Sequence, residues 1–316
     1  LGGPMALGND DDDVIIYKRL KALTKQDGPR VVIGGPPCQA YSLVGRARNK
    51  GKKDYRAEDD HRHFLYEEYL RVLWSVKPEV FVMENVKGIL SSKVNGTRVF
   101  PKLFKDLSHP GKALGKRGGK GYRIYSLVHD GKTDLFDDSN TNYLIKSEKY
   151  GVPQARHRVI LIGVRDDVSA APEKLGIAPV EQTTKNVISD IPRLRSGLSK
   201  GGDSADAWHK AVTLAAVKVS KALRDIGLDD SVMSGIVERS LKLASRGEQY
   251  MTRSLKFKGS EALKDWYLDP KINGFINHES RGHIVDDLAR YLFCACYAEQ
   301  TDGRSPRSKD FPESLA

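Results

Sequence analysis

Arg30-Val-Val-Ile-Gly-Gly-Pro-Pro-Cys-Gln39 is the stretch on which the fold turns. Three β-branched residues ended by paired glycines read as a short buried strand with a turn right after it. Cys38 follows on a stiff Pro36-Pro37 corner. In open α/β sheets the ligand crevice lies outside the carboxyl ends of the strands, so a thiol held there is placed to attack something in it. A buried structural cysteine behind a proline turn explains this one segment equally well.

Outward from that stretch, His63 to Val76 repeats apolar residues at helical spacing (Phe64, Leu65, Tyr69, Val72, Leu73, Val76) and stops before Pro78. Glu79-Val-Phe-Val-Met83 reads as the next strand. A helix near Val99 to Leu107 leads through a Gly/Lys-rich loop to the strands Tyr122–Val128 and Arg158–Val164. This alternation implies a parallel or mixed sheet covered on both faces. The last two strands have no clear helix between them, so they are expected to form an antiparallel ribbon. Asp10 to Asp13 suits the start of a helix, where negative charge complements the dipole. Composition shifts near Pro192. From Asp203 to Gly247, and again from Ile284 to Ala298, the pattern is helical, with Ile284, Leu288, Tyr291, Leu292 and Ala295 marking one apolar face. The expected organisation is an α/β catalytic part over residues 1–190 and a helical part over 191–316.

The 316 residues are 39% hydrophobic and 29% charged, values of a folded soluble chain rather than a disordered one. Lys and Arg number 52 against 41 acidic residues, and the resulting +11 favours a polyanionic partner. No apolar run approaches the roughly 18 residues of a membrane span, and no signal peptide is recognisable. Three cysteines cannot build a disulfide framework, so a reducing, cytoplasmic setting is expected. The chain starts at Leu1 rather than Met and reads as part of a longer protein.

Two further segments carry candidate chemistry. Met83-Glu84-Asn85-Val86 ends the second strand, so its carboxylate would face the same crevice as Cys38; a surface or capping glutamate is the alternative. In Tyr150-Gly-Val-Pro-Gln-Ala-Arg-His-Arg158 an extended chain would put Gln154, Arg156 and Arg158 on one face. Two guanidiniums there suit an anion, an electron-rich carbonyl or a thiolate, unless the segment is simply a solvated basic edge. After Cys38, Arg46, Arg48, Lys50, Lys52, Lys53 and Arg56 are opposed only by Asp54, and Gly45 and Gly51 loosen the chain. Gly111 to Gly121 lacks the Lys-Ser/Thr ending of a phosphate loop and reads as a flexible surface loop. His61-x-His63 and Cys294-x-Cys296 lack companion metal ligands, and one of the two cysteines is expected in a helical core. His278, Arg281, His283 and Arg290 suit either DNA contact or packing of a helix.

Pro-Pro-Cys-Gln, then Glu-Asn-Val, then Gln-x-Arg-x-Arg, in this order, resembles the C5-cytosine DNA methyltransferase family over roughly residues 28–166, as its fourth, sixth and eighth motifs. The resemblance implies a Rossmann-like S-adenosylmethionine-dependent methyltransferase sheet, incomplete in this chain, with a helical target-recognition region. It implies that Cys38 adds to C6 of cytosine, that Glu84 holds N3 and that Arg158 binds O2, with Arg156 supporting it or a phosphate. Pro36 and Pro37 would shape the wall between base and donor, and Asn85 would brace the turn; these three are the donor-side candidates. The target base must leave the duplex to be reached. Gln39, Ser42, Gln154 and the basic loop Arg46, Arg48, Lys50, Lys52 and Lys53 would hold double-stranded DNA.

Some family features are missing. No aromatic-x-Gly-x-Gly turn precedes Cys38, and no late Gly-Asn-x-Val motif follows, so a further segment or a second chain is expected to complete the donor site. The C-terminal part resembles bacterial methyltransferases of restriction or phage defence, which implies a nucleoid-associated cytoplasmic enzyme. Two alternatives stay open: cytosine-C5 methylation of transfer RNA, and a non-catalytic DNA-binding chain of the same fold. The large region after residue 190 argues for DNA over transfer RNA.

Overall fold

In the computed structural model, the described residues are 4–36, 65–94, 96–129, 141–253 and 256–315. The chain divides into two compact units, Leu1–Thr183 and Thr184–Ala316. None of the described helices is long and apolar enough to cross a membrane.

The first unit opens with α1 (Asp10–Leu23), whose four leading aspartates sit in the first turn and whose Asn9 cap accepts from Asp12 N at 3.2 Å. Then come β1 (Val31–Gly34), α2 (Leu65–Val76) and β2 (Val80–Val86). A small hairpin of β3 (Lys93–Val94) and β4 (Thr97–Arg98) precedes α3 (Val99–Ser108) and the single turn α4 (Pro110–Ala113). The unit closes with β5 (Tyr122–Tyr125), β6 (Leu144–Lys146) and β7 (His157–Arg165). The sheet runs β1-β2-β7-β5, and β6 also pairs with β7. Only β1 and β2 are parallel; β7 is antiparallel to β2, β5 and β6. The expected ribbon of the last strands is therefore present, within a mixed sheet.

One face of this sheet carries the core. Phe81 and Met83 of β2 and Val159 and Leu161 of β7 pack against Leu70 and Leu73 of α2 and Phe100, Leu103 and Leu107 of α3. Burying side chains of this size contributes about 1.5–3 kcal/mol each. Gly163 is the residue opposite Phe81, and the Phe81 ring fills the space of its missing Cβ. The expectation that both faces are covered is not met at β1. Val31 and Ile33 of this edge strand are 57% and 77% exposed, while Val32 between them packs against the core. The Gly/Lys-rich stretch is largely exposed, as expected of a surface loop, but it is anchored: Gly111 is buried, and the Trp74 ring lies where a Cβ of Gly111 or Gly119 would be, so these two glycines let it dock.

The second unit contains α5 (Thr184–Ile188), β8 (Gly197–Leu198), α6 (Ala205–Asp225), α7 (Met233–Ser240), β9 (Gly247–Thr252), α8 (Glu261–Tyr267), β10 (Gly274–Glu279), β11 (Gly282–His283) and α9 (Val285–Gln300). It is less helical than expected. β9 and β10 form an antiparallel pair and β8 pairs with β11. The core joins Ala215, Ala216, Val219, Ala222 and Leu223 of α6 to Ala289, Phe293, Cys296 and Tyr297 of α9. The buried stripe of α9 is thus turned from the expected one: Tyr291 is 56% exposed, and Leu288 and Leu292 flank the core. Cys296 is the core cysteine of the pair.

Candidate active site

Three chain segments meet at one edge of the first sheet. The parallel register Gly34↔Met83 brings the chain leaving β1 past Glu84. β7 runs back along β2 with Glu84↔Ile160 and Val86↔Arg158, so its first residues start at the same edge. β2 runs to Val86, beyond the expected end at Met83, because β7 keeps pairing with it; Glu84 lies inside the strand.

Gly35 eases the first meeting. A Cβ there would stand 3.1 Å from Glu84 Oε2, so a larger residue would push the carboxylate aside by a few tenths of an ångström. Asn85, buried on the other face, ties the segments together: its Nδ2 donates to the Pro36 carbonyl at 3.3 Å, and its Oδ1 accepts from Val86 N at 2.9 Å. Glu84 and Arg158 project from the opposite face to Asn85. Arg158 Nε lies 2.8 Å from Glu84 Oε1, although the N–H is not aimed along this line, so the contact is a charge pair rather than a directed hydrogen bond. Arg158 Nη1 donates to the His157 carbonyl at 2.8 Å. With Glu84 44% and Arg158 24% exposed, the pair adds at most about 1 kcal/mol to stability.

The lead-in to β7 differs from expectation. The extended chain begins only at His157. Gly151 is left-handed (φ +80°), Pro153 is buried, and two tight turns follow, Gln154 N to Val152 O at 2.7 Å and Arg156 N to Gln154 O at 2.9 Å. Gln154 and Arg156 are exposed on this folded arm and do not extend the strand face that carries Arg158. Sequence reasoning passed over Ser147 and Glu148, which hold the arm. The Ser147 hydroxyl lies 2.6 Å from the Gln154 carbonyl and accepts from Arg156 N at 2.9 Å, while Glu148 Oε1 is 2.7 Å from His157 Nε2. Its own backbone N–H and then His157 hold the Glu148 carboxyl below the usual carboxylate range. A serine directly behind a short strand, able to bond backbone two or more residues away, is the one local signal that could have marked it.

The structure therefore brings together Pro36, Glu84, Asn85 and Arg158, and places Gln154 and Arg156 on the adjoining arm. Pro37, Cys38, Gln39, Ser42, Arg46, Arg48, Lys50, Lys52 and Lys53 lie outside the described residues, as do His61 and His63. In the second unit, His278 Nε2 contacts the Pro192 carbonyl at 2.8 Å, Arg290 Nε donates to the Leu315 carbonyl at 3.1 Å, and His283 packs edge-on against Tyr291. Those three are engaged within their own unit. Arg281 is exposed.

A family model described as C-5 cytosine-specific DNA methylase matches residues 11–225. A type II methyltransferase of Bacillus paralicheniformis is 31% identical over 241 residues, covering 73% of this chain and 48% of that protein. One from Lysinibacillus sphaericus is 32% identical over 161 residues, covering 51% of this chain and 29% of its own. One from Xanthomonas oryzae pv. oryzae is 33% identical over 181 residues, with coverage of 57% and 33%. The chain spans less than half the length of each of these relatives. With more than half of its residues matched by the family model, and with the Glu84 and Arg158 side chains in contact at one sheet edge, this chain belongs to the C-5 cytosine-specific DNA methylase family.

Proposed function

We propose that the chain carries the base-handling half of a cytosine-C5 methyltransferase that acts on double-stranded DNA. The observation that supports this most is the Glu84–Arg158 contact at the edge where β1 leads toward Cys38. C5 of cytosine is too weak a nucleophile to take a methyl group unaided. Addition of the Cys38 thiolate to C6 would turn the ring into an enamine whose C5 can attack. Glu84 would hydrogen-bond N3 and supply a proton there as charge builds in the ring. Arg158 would hold O2 and stabilise developing negative charge, a task suited to a guanidinium fixed in advance. Loss of the C5 proton and expulsion of Cys38 would then release the methylated base. Entry of the base requires flipping it from the duplex, which costs a few kcal/mol. Cations such as Arg46, Arg48, Lys50, Lys52 and Lys53 would offset this through phosphate contacts.

The family draws its methyl group from S-adenosylmethionine, whose sulfonium makes the methyl electrophilic. Of the donor-side candidates, Pro36 and Asn85 lie among the described residues. Asn85 is buried, with its Nδ2 on the Pro36 carbonyl and its Oδ1 on Val86 N, so it is placed to brace the turn that would wall the donor site. The reading is tested by incubating the protein, any segment that completes the donor site and S-adenosylmethionine with duplex DNA containing 5-fluorocytosine, and in parallel with transfer RNA. A covalent adduct mapped to Cys38 and absent from Cys38→Ser is the expected result. Adduct formation on transfer RNA alone overturns the DNA assignment, and methyl transfer that survives Cys38→Ser overturns the mechanism.

A further inference from the structure

We infer that Ser147 is a positioning residue that holds the Gln154–Arg156 arm in a shape ready to meet a DNA backbone; the inference rests on the DNA-handling function proposed above. The arm belongs to the ten residues, 147–156, that join β6 to β7. A connection of this length has many conformations to lose. Ser147 removes much of that freedom from one position. Its hydroxyl accepts from Arg156 N at 2.9 Å and has the Gln154 and Arg156 carbonyls at 2.6 and 2.8 Å, one of which takes its proton. Its own N–H donates to the Arg156 carbonyl at 3.3 Å, and its carbonyl accepts from Val152 N at 3.3 Å. One residue thus grips the arm at positions 152, 154 and 156, while the Glu148–His157 contact closes the neck of the loop beside it.

The side chains presented by this platform are uncommitted. Gln154 and Arg156 are exposed, and the Arg156 guanidinium makes no hydrogen bond or ion pair among the described residues. A polar arm whose backbone is ordered in advance, with its guanidinium left open, is suited to a phosphodiester oxygen. The ordering cost is then met on folding rather than on binding.

The test uses wild type, Ser147→Ala, Ser147→Thr and Arg156→Ala. Amide hydrogen exchange is read over residues 152–157, and binding to a duplex DNA is read by anisotropy across a salt series. Ser147→Ala should speed exchange at the Arg156 amide at least about tenfold and weaken DNA binding about tenfold. Ser147→Thr, which keeps the hydroxyl, should restore both. Arg156→Ala should weaken binding and lower the slope of affinity against salt by about one charge, with exchange unchanged. Unchanged exchange in Ser147→Ala overturns the inference. So does faster exchange with wild-type affinity while Arg156→Ala binds weakly, since the arm would then contact DNA without needing to be held. If Arg156→Ala binds as wild type, the DNA-facing reading of the arm fails and takes the inference with it, whatever the exchange shows.

Discussion

Replacing Gly163 by alanine puts the packing between β2 and β7 to the test. The new Cβ would lie 2.1 Å from Phe81 Cε1, 2.3 Å from Cζ and 2.6 Å from Cδ1, where ordinary contact starts near 3.4 Å. The ring would have to retreat by about 1.3 Å. It has nowhere to go: Phe81 is fully buried, with Tyr122 edge-on at 5.1 Å and Tyr69 edge-on at 6.1 Å between ring centres. The cost should reach the top of the overpacking range, about 3 kcal/mol. For a unit of this size that lowers Tm by about 6–12 °C, read as a shifted transition in scanning calorimetry. Phe81→Leu alone should cost about 1–2 kcal/mol by leaving a cavity. Combined with Gly163→Ala it should cost less than the sum by about 2 kcal/mol, because the shorter side chain vacates the space the methyl needs. A fall in Tm below about 2 °C for Gly163→Ala, or strict additivity in the double variant, refutes this account of how the two strands are held in register.

Other perturbations probe the site and its supports. Glu84→Gln and Arg158→Lys should each lower the rate of methyl transfer by about 10²–10⁴-fold while leaving the unfolding midpoint almost unchanged, since the partly exposed pair adds at most about 1 kcal/mol to stability; wild-type rates would remove both from the mechanism. Burial pushes the Glu79 carboxyl up, but the Arg30 N–H at 2.7 Å and the Arg30 and Arg165 guanidiniums outweigh it and hold it at about 2. Its folded value is depressed, so its contribution is complete above the unfolded value of about 4.3 and disappears as pH falls toward about 2. Glu79→Gln should therefore flatten the urea midpoint against pH across that window, and an unchanged slope counts against the assignment. In the second unit, Asp190 is buried, pairs with Arg253, and Arg253 lies 4.3 Å over the Phe275 ring. Asp190→Ala should cost about 3 kcal/mol by stranding the guanidinium, measured by urea unfolding; a loss under about 1 kcal/mol would show that water replaces the carboxylate.

Legibility in the sequence followed the length and contrast of each element. α2, β2, α3 and β7 are long or strongly periodic, and the short β1 is marked by its β-branched run, so all five stand out by residue type alone. β6 is three residues long and exists because β7 offers it an edge, a cause that lies in another part of the chain. β9 and β10 hide because Gly247-Glu-Gln-Tyr-Met-Thr252 and Gly274-Phe-Ile-Asn-His-Glu279 are too polar for a strand signal and are separated by a long connection. On α9 two apolar stripes lie one residue apart. The one containing the small residues Ala289 and Cys296 is inside, because α6 presents alanines that demand close approach. Glu84 and Arg158 could be named from their motifs. Gly35 as the spacer under Glu84, and Ser147 as the anchor of the arm, depend on contacts that only the folded chain reveals.

The touching carboxylate and guanidinium also set how the protein senses its solution. Opposite unit charges 2.8 Å apart cancel when viewed from beyond a screening length of about 8–10 Å. The pair itself therefore adds little to the long-range field, although the chain as a whole carries +11. Attraction of a polyanion must come from cations outside the pair, the exposed Arg156 among them, and it fades as ions are added. The pair hardly notices those ions, so on the proposed function a change of buffer should loosen the hold on a polyanion more than it disturbs the contact between these two side chains.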